Sequence, residues 1–211
     1  MALFGNKVKE GSVQKEKIAS ATIITHGTSI KGDLIGEDTV QIDGEVEGNI
    51  IVNNIVLIGK QGSVKGTIRA TRVISSGKII GTVKCDELEV LESSTVKERI
   101  DARKVVVFGK IEGEVACDGL IIEPKGYVGT KIQARSISVG GTISGEVAAD
   151  LLSTKETGFV RANMFVNNIS NEGGKVEGAI GPYKKILEME QKSLVPEEVD
   201  SPKKEAKRKS A

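Results

Sequence analysis

The residues that could support catalysis are few and widely spaced in this sequence. There is one histidine, His26, and there are two cysteines, Cys85 and Cys117. Acyl transfer usually needs a histidine as general base, and zinc sites usually need several histidine or cysteine ligands. A single histidine in a turn is more often structural or solvated. The sequence therefore predicts no catalytic residue, no metal site and no bound cofactor.

Acidic side chains recur close together, but their positions indicate a solvated face rather than a catalytic carboxylate pair. They alternate with aliphatic residues, so they are expected to point outward or to lie in adjoining turns. Neither the G-x-x-x-x-G-K-[ST] nor the G-x-G-x-x-G phosphate-binding motif occurs. The chain is therefore not expected to bind or hydrolyse nucleotide. The acidic residues in question are Asp43, Glu45, Glu47, Glu112, Glu114 and Glu146.

A short motif, aliphatic-x-Gly-x-aliphatic, repeats along the chain and organises it. It is present in GSVKGTI (62–68), GKIIGTV (77–83) and GKIEGEV (109–115). Such regular self-similarity is typical of a solenoid. Steps of 15 to 18 residues separate the central positions, which are Gly32, Gly48, Gly66, Gly81, Glu98, Gly113, Thr130, Gly145, Ala162 and Gly178.

In the middle of the chain the steps alternate between 15 and 17, which predicts a structural unit of two coils. Six residues after the first aliphatic of each motif comes a small residue, and an aliphatic residue follows three positions later. The extra pair of residues is confined to one corner, where the shorter coils are expected to turn on Gly77, Gly109 and Gly141 by means of positive φ. The small column is Ala70, Cys85, Ala102, Cys117, Ala134 and Ala149; the aliphatic column is Val73, Leu88, Val105, Leu120, Ile137 and Leu152.

These columns predict an all-β fold, a single-stranded parallel β-helix of about ten coils of 15–18 residues. Side chains alternate along a strand, so Val64, Gly66 and Ile68 are expected to face inward together, with the glycine where the coil walls come close. Cys85 and Cys117 then lie two coils apart, about 9 to 10 Å, which is too far for a disulfide. They are predicted to be small core residues of a protein in a reducing compartment.

The repeat sets the predicted domain boundaries. Residues 21–182 form the β-helix domain, because the last motif ends at Ile180 and Pro182 cannot donate to a further ladder. Residues 1–20 and 183–211 are polar and charged, and are predicted to be flexible tails.

Composition limits the partners and the location. Thirty basic residues against 29 acidic ones give a net charge of +1, so nucleic acid is not an expected partner. No apolar run is long enough for a membrane span or a secretory signal, and a cytoplasmic protein is predicted. A β-helix also has two unpaired terminal coils, and such edges tend to pair with another chain. The predicted partner is therefore a second copy of the same chain, giving a homopolymer.

The strings GTSIKGDL, VQIDGEVEGNI, GSVKGTI and GKIIGTV, on a step of about 16 within a core flanked by short tails, resemble the bactofilins. This resemblance implies a right-handed helix that polymerises through its ends, without nucleotide, into bacterial cytoskeletal filaments. It further implies a scaffold for cell-wall and morphogenetic proteins, on the inner face of the cytoplasmic membrane. The resemblance covers residues 21–180 and is closest over 25–115.

The resemblance also identifies candidate site residues. Bactofilins often carry a short apolar and basic membrane-targeting segment, which Met1, Leu3 and Phe4 followed by Lys7 and Lys9 resemble; an ordinary unstructured start is the alternative. A phenylalanine in the polymerising end would correspond to Phe159 or Phe165.

The C-terminal run PKKEAKRKS is a separate candidate for binding anionic lipid, nucleic acid or an acidic partner, although it lacks interleaved aromatic residues. A solvated tail is the alternative. Its basic residues are Lys203, Lys204, Lys207, Arg208 and Lys209.

An enzyme is the second functional hypothesis, namely an acyltransferase-like β-helix with a groove on the rod. Hexapeptide acyltransferases repeat an aliphatic residue every six positions, and this chain does so over Val40, Val46, Val52, Ile58 and Val64. The count then fails, because the chain needs Val73 where the sixfold spacing gives Ala70 and Ser76. The non-enzymatic polymer is therefore the preferred prediction.

Overall fold

The computed structural model describes residues 21–181 and Tyr183, and every regular element in them is a β-strand. Predictions made for residues 1–20 and 184–211 lie outside the described residues. The first strands are short: β1 (Ala21–Ile24), β2 (Ser29–Lys31), β3 (Leu34–Gly36), β4 (Thr39–Ile42), β5 (Glu45–Glu47), β6 (Ile50–Val52) and β7 (Ile55–Ile58). Seven strands of 13 residues follow: β8 (Ser63–Ser75), β9 (Lys78–Val90), β10 (Thr95–Val107), β11 (Lys110–Ile122), β12 (Tyr127–Val139), β13 (Thr142–Thr154) and β14 (Phe159–Asn171). The last are β15 (Lys175–Glu177) and β16 (Ile180–Gly181).

The strands form a three-sided parallel solenoid of about ten coils. We name the sides by β8: Ser63–Lys65 belongs to the first side, Ile68–Ala70 to the second and Arg72–Ser75 to the third. The short strands β5, β6 and β7 each pair with one of these three stretches of β8. From β8 onward each long strand continues around two corners and forms all three sides of one coil. The ladder between coils skips one residue at the second corner, since the pairs pass from Ala70–Cys85 to Arg72–Glu87.

The register of the ladder confirms the predicted columns. Ala70 pairs with Cys85, Cys85 with Ala102 and Ala102 with Cys117. Inward positions carry Val, Ile and Leu on every coil, and the largest fully buried side chains are all Ile or Leu. The predicted parallel β-helix is therefore the fold of residues 21–181, built on an aliphatic core. Cys85 and Cys117 are unbridged, as predicted.

The alternation of 15 and 17 residues arises at the corner between the third side and the next first side. Long coils turn there through four residues, closed by a hydrogen bond from the fourth amide to the first carbonyl. The bonds from Gly62 to Gly59 and from Gly126 to Glu123 are 2.9 and 2.7 Å. Short coils lack this turn, so the two extra residues are confined to one corner, as predicted.

The predicted reason for glycine at the short corners was wrong. Gly77, Gly109 and Gly141 do not have positive φ. They lie against the turn of the preceding coil, and a Cβ atom on Gly77 would overlap the carbonyl oxygens of Gly62 and Gly59. Close packing of one corner on the next therefore requires glycine at these positions.

The predicted inward orientation of the central motif residue was also wrong. Gly66 forms the corner between the first and second sides, with φ of +141°. Glu98 and Thr130 occupy the same corner with φ of +89° and +119°, and both are exposed. The motif therefore bends between its two inward aliphatic residues. Glycine is favoured there because most coils have positive φ at the bend, and because a Cβ atom at Gly66 would overlap the carbonyl oxygen of Gly48 on the preceding coil.

Two side chains at this corner carry backbone strain. Positive φ costs a residue with a Cβ about 1 to 2 kcal/mol, while glycine adds about 0.5 to 1 kcal/mol of unfolded-state entropy. We expect Glu98→Gly and Thr130→Gly each to raise the unfolding free energy by about 0.5 to 1 kcal/mol, measured by denaturant unfolding. Ala162 is the control, because it occupies the same column, has no positive φ and is 5% exposed. Ala162→Gly should lose stability, and equal effects at all three positions would contradict the strain.

A buried hydroxyl group in the core lacks a hydrogen bond. Thr154 is 0% exposed, and its Oγ1 atom has no hydrogen-bond partner among the residues that the structure describes. Ser75 in the same inward column is also buried, but its Oγ lies 2.8 Å from the Oγ of Ser94. The two hydroxyl groups therefore have opposite expected effects on stability.

We expect Thr154→Val to stabilise the chain by about 1 kcal/mol or more, because an unpaired buried hydroxyl is costly. For a chain of this length, that corresponds to a rise of about 2 to 4 °C in Tm. Ser75→Ala, which removes a paired hydroxyl, should lower Tm. A lower Tm for Thr154→Val would contradict this expectation. It would show that the hydroxyl group packs in the core better than the methyl group of valine.

Candidate self-assembly surfaces

Both ends of the solenoid present strands that pair on one side only within the described residues. At the N-terminal end, β2 pairs with β5 and β3 with β6. At the C-terminal end, β15 and β16 pair only with β14. The part of β14 on the third side pairs with β13 alone. Each end therefore offers backbone donors and acceptors to a further strand.

The C-terminal end also exposes a slice of the core, which we call the C-terminal tip: Val176, Ile180 and Ile169. These residues are the last members of three inward columns, following Val160, Met164 and Leu152. Leu152 is 0% exposed, whereas Ile169 on the next coil is 40% exposed and Ile180 is 62% exposed. The exposure arises because the described residues form no further coil over these side chains, which keep the inward positions of their columns.

The N-terminal end exposes less of its aliphatic core. Ile24 is 4% exposed, and Ile30 and Leu34 are half-buried against the core. The fourth inward position at this end is Thr22, which pairs with Val40 and is exposed.

The first coil does expose apolar side chains, but on its outer face. Ile23 of β1 and Ile35 of β3 are 58% and 78% exposed. The two ends therefore differ, because the C-terminal tip exposes inward aliphatic residues and the N-terminal end exposes outward ones.

The phenylalanines proposed for the joint lie one coil inside the C-terminal tip. Phe159 and Phe165 are both half-buried on β14, the first on the first side and the second on the second side. Phe159 lies between two cations, with Lys175 Nζ at 5.4 Å and the Arg161 guanidinium at 5.7 Å from its ring centre. The ring of Phe165 packs so closely on the last coil that a Cβ atom at Gly181 would lie 3.2 Å from it. The structure thus places both rings beside the tip, facing outward.

The outer faces carry ladders of opposite charge that connect neighbouring coils. Glu47 Oε1 lies 2.8 Å from Lys65 Nζ, and this contact lowers the pKa of Glu47 and raises that of Lys65. On the corner between the second and third sides, Arg135 contacts Asp118 at 3.3 Å. Exposed pairs of this kind contribute little individually. Several of the acidic residues noted in the sequence belong to these ladders, which agrees with a solvated role.

A groove runs along the second side of the rod, and we call it the second-side groove. Two adjoining cavities form it, of about 710 and 410 Å³, and both are bordered by Asp101. Cys117 lines the larger cavity and Cys85 the smaller one. Burial raises the pKa of each thiol to about 12, with a further contribution from Asp86 and Glu87 at Cys85 and from Asp118 at Cys117. Neither thiol is therefore an activated nucleophile.

The groove does not gather the residues that an acyltransferase needs. His26 lies in the turn between β1 and β2, beside Gly44, Glu45 and Gln61, and it does not line the groove. Within the described part of the chain, no group of three or more histidine, cysteine or acidic residues could hold a metal ion.

Two sets of predicted site residues lie outside the described residues. These are the candidate membrane-binding residues Met1, Leu3, Phe4, Lys7 and Lys9 and the basic run Lys203, Lys204, Lys207, Arg208 and Lys209. Among residues 21–181 and Tyr183, no helix has the length and apolar character of a membrane span.

Sequence reasoning missed Ile169 and Ile180, because inward aliphatic residues look alike in every coil. The sequence did contain a signal for the end of the stack, because no further repeat of the motif follows the last aliphatic residue of each column. To identify Ile169 and Ile180 from that signal, one would also need to know on which side of the solenoid the last strand lies.

Comparison with known proteins supplies the family. A family model described as bactofilin, polymer-forming cytoskeletal, matches residues 22–107 and, in a second match, residues 99–181. No curated protein and no solved structure matches the chain. The two matches together cover the solenoid from β1 to β16. This is a non-enzymatic polymer family, so the acyltransferase hypothesis is wrong. With its repeat, its parallel solenoid and both matches in agreement, the chain belongs to the bactofilin family of polymer-forming cytoskeletal proteins.

Proposed function

We propose that this protein assembles end to end, without nucleotide, into filaments that scaffold cell-shape or cell-wall machinery on the inner face of the cytoplasmic membrane. Membership of a polymer-forming cytoskeletal family supports self-association. The single observation that carries the end-to-end mode is the exposed core slice at the C-terminal tip. Residues 21–182 would be the assembly module, with residues 1–20 and 183–211 outside it.

The physical reason for joining at the ends is that both kinds of unsatisfied surface coincide there. The tip residues Ile169 and Ile180 are apolar and exposed. The edges of β14, β15 and β16 next to them offer unpaired backbone groups within the described residues. Stacking a second rod would bury the apolar side chains and extend the ladder. These gains require no bound nucleotide, and the sequence contains no phosphate-binding motif.

Phe159 and Phe165 extend this joint in our proposal. Their rings flank the tip on the first and second sides, where a partner rod overlapping the last coil would contact them. Phe165→Arg should then weaken assembly, because it places a charge at the rim of the joint.

The tip can be tested with a pair of residues of equal exposure. Ile169 on the tip is 40% exposed and Leu151 on the third side is 42% exposed. We expect Ile169→Lys and Ile180→Lys to abolish filaments in negative-stain microscopy without added nucleotide, whereas Leu151→Lys should leave them intact. Circular dichroism and Tm should stay close to wild type, because the side chains are already partly in water.

The reverse pattern would move the joint to the side of the rod, since only the lateral variant would then be defective. Uniform short particles of the wild-type protein at high concentration would contradict end-to-end assembly altogether.

The membrane part of the proposal rests on Met1, Leu3, Phe4, Lys7 and Lys9. Three apolar side chains contribute a few kcal/mol of partitioning at most, and each nearby lysine contributes about 1 kcal/mol at an anionic surface. A single chain would therefore bind weakly. A filament would bind tightly, because it presents many copies of the segment to one membrane.

We expect deletion of residues 1–9 to abolish co-sedimentation with vesicles containing anionic lipid. Assembly-deficient Ile169→Lys, with its N-terminus intact, should also bind much less than wild type. Unchanged sedimentation of the deletion variant would reject this segment and would favour the basic run from Lys203 to Lys209 as the lipid contact.

A further inference from the structure

The second-side groove has a floor of small residues that leaves room for another chain segment. Ala116 and Cys117 of β11 and Ala134 of β12 line its larger cavity, together with Gln133. Ala148 on the next coil is also small and is 2% exposed, so no large side chain stands at that position. An open channel of about 710 Å³ with an alanine-rich floor can accept a helix or a strand.

One wall of the groove carries an alternating row of charges. From the C-terminal end of the rod, the row reads Asp150, Arg135, Asp118. Arg135 contacts Asp118 at 3.3 Å, but their side chains remain 75% and 58% exposed. Asp150 accepts a hydrogen bond of 2.7 Å from Asn167 Nδ2. Arg135 and Asp118 are therefore largely open to water, where a further charged group can reach them.

The chain leaves the solenoid at the end of this groove. Tyr183, which follows the last coil, lines the larger cavity together with Asn167 and Asp150. The next residues, KKILEMEQKSLV (184–195), combine apolar residues with an alternating order of charges: two lysines, then two glutamates, then one lysine. Pro196 follows and disfavours helix at the residue before it.

We propose that residues 184–195 dock into the second-side groove of their own chain as a short helix that runs back toward the N-terminal end. A helix rises 1.5 Å per residue, and successive coils are about 4.8 Å apart. Positions 185, 188 and 192 share one face of such a helix, so Lys185 then faces Asp150, Glu188 lies about 8 Å along the groove near Arg135, and Lys192 lies about 14 Å along near Asp118. An extended segment rises about 3.3 Å per residue, so it would carry Glu188 to Asp118 and bring like charges together.

The length of the segment limits how far it reaches. Twelve helical residues span about 18 Å. From Asn167, the coil of Cys117 is three steps away, or about 14 Å, and the coil of Cys85 is five steps away, or about 24 Å. The docked segment therefore covers Cys117 and stops short of Cys85.

The two cysteines form a matched pair of reporters in the full-length protein. They occupy the same column, both are half-buried and unbridged, and both thiols have a pKa raised to about 12. We expect a maleimide to label Cys117 several-fold more slowly than Cys85, as measured by mass spectrometry over time. The variant Glu188→Lys should release Cys117 and leave Cys85 unchanged. The control Lys203→Glu with Lys204→Glu, beyond Pro196, should keep the protection.

Equal labelling of the two thiols in the wild-type protein would overturn the proposal, as would protection of Cys117 that survives Glu188→Lys. Protection that increases with protein concentration would also overturn it, since a second copy would then occupy the groove. Docking does not require filaments, so its failure would leave the proposed function untouched.

Discussion

The parallel backbone ladder between successive coils is the interaction on which the rest of the structure depends. From β8 to β14 nearly every residue of a coil pairs with its counterpart on the next. A coil can pair in this way only if its corners superpose on those of its neighbours. Differences in length are therefore confined to the turns between the third and first sides, where Gly77 and Gly141 lie against the turns of the preceding coils. The same ladder leaves whole strand edges unpaired at the two ends of the described chain.

Much of this fold could be predicted from the sequence, because stacking makes the period visible. The columns that contain Ala70 and Val73 were placed in the correct register, and so was the two-coil unit. What could not be predicted is the local backbone. Val64 and Ile68 point inward whether the chain bends at Gly66 or continues as a straight strand. The sequence pattern therefore does not distinguish a bend from a straight strand. The crowding at Gly77 depends on carbonyl groups of another coil, which no pattern within one coil reveals.

The candidate joint was predicted less completely than the fold. Open ends follow from any uncapped solenoid, and that inference needed only the repeat. The family resemblance directed attention to Phe159 and Phe165, which flank the tip. Ile169 and Ile180 at the tip itself have inward positions that are buried in all the coils between the first and the last. Their exposure depends on which side carries the final strand, and this is a property of the whole stack.

The two matches to one family model, at 22–107 and 99–181, meet within β10. The ladder crosses that region without interruption, since β10 pairs along its length with both β9 and β11. The rod is thus a continuous stack, and its assembly surfaces are expected at its ends. The groove on the second side is a separate feature, formed by small residues and opening beside the point where the chain leaves the last coil.

Fibre diffraction from oriented filaments would test the stacking most directly. If rods join tip to tip, the strand spacing of about 4.8 Å must lie along the filament axis, and ten coils per chain give a subunit spacing of about 48 Å. The structure predicts both values in filaments formed without nucleotide. A 4.8 Å reflection perpendicular to the filament axis would mean that the rods lie across the filament, and it would contradict assembly through the tips.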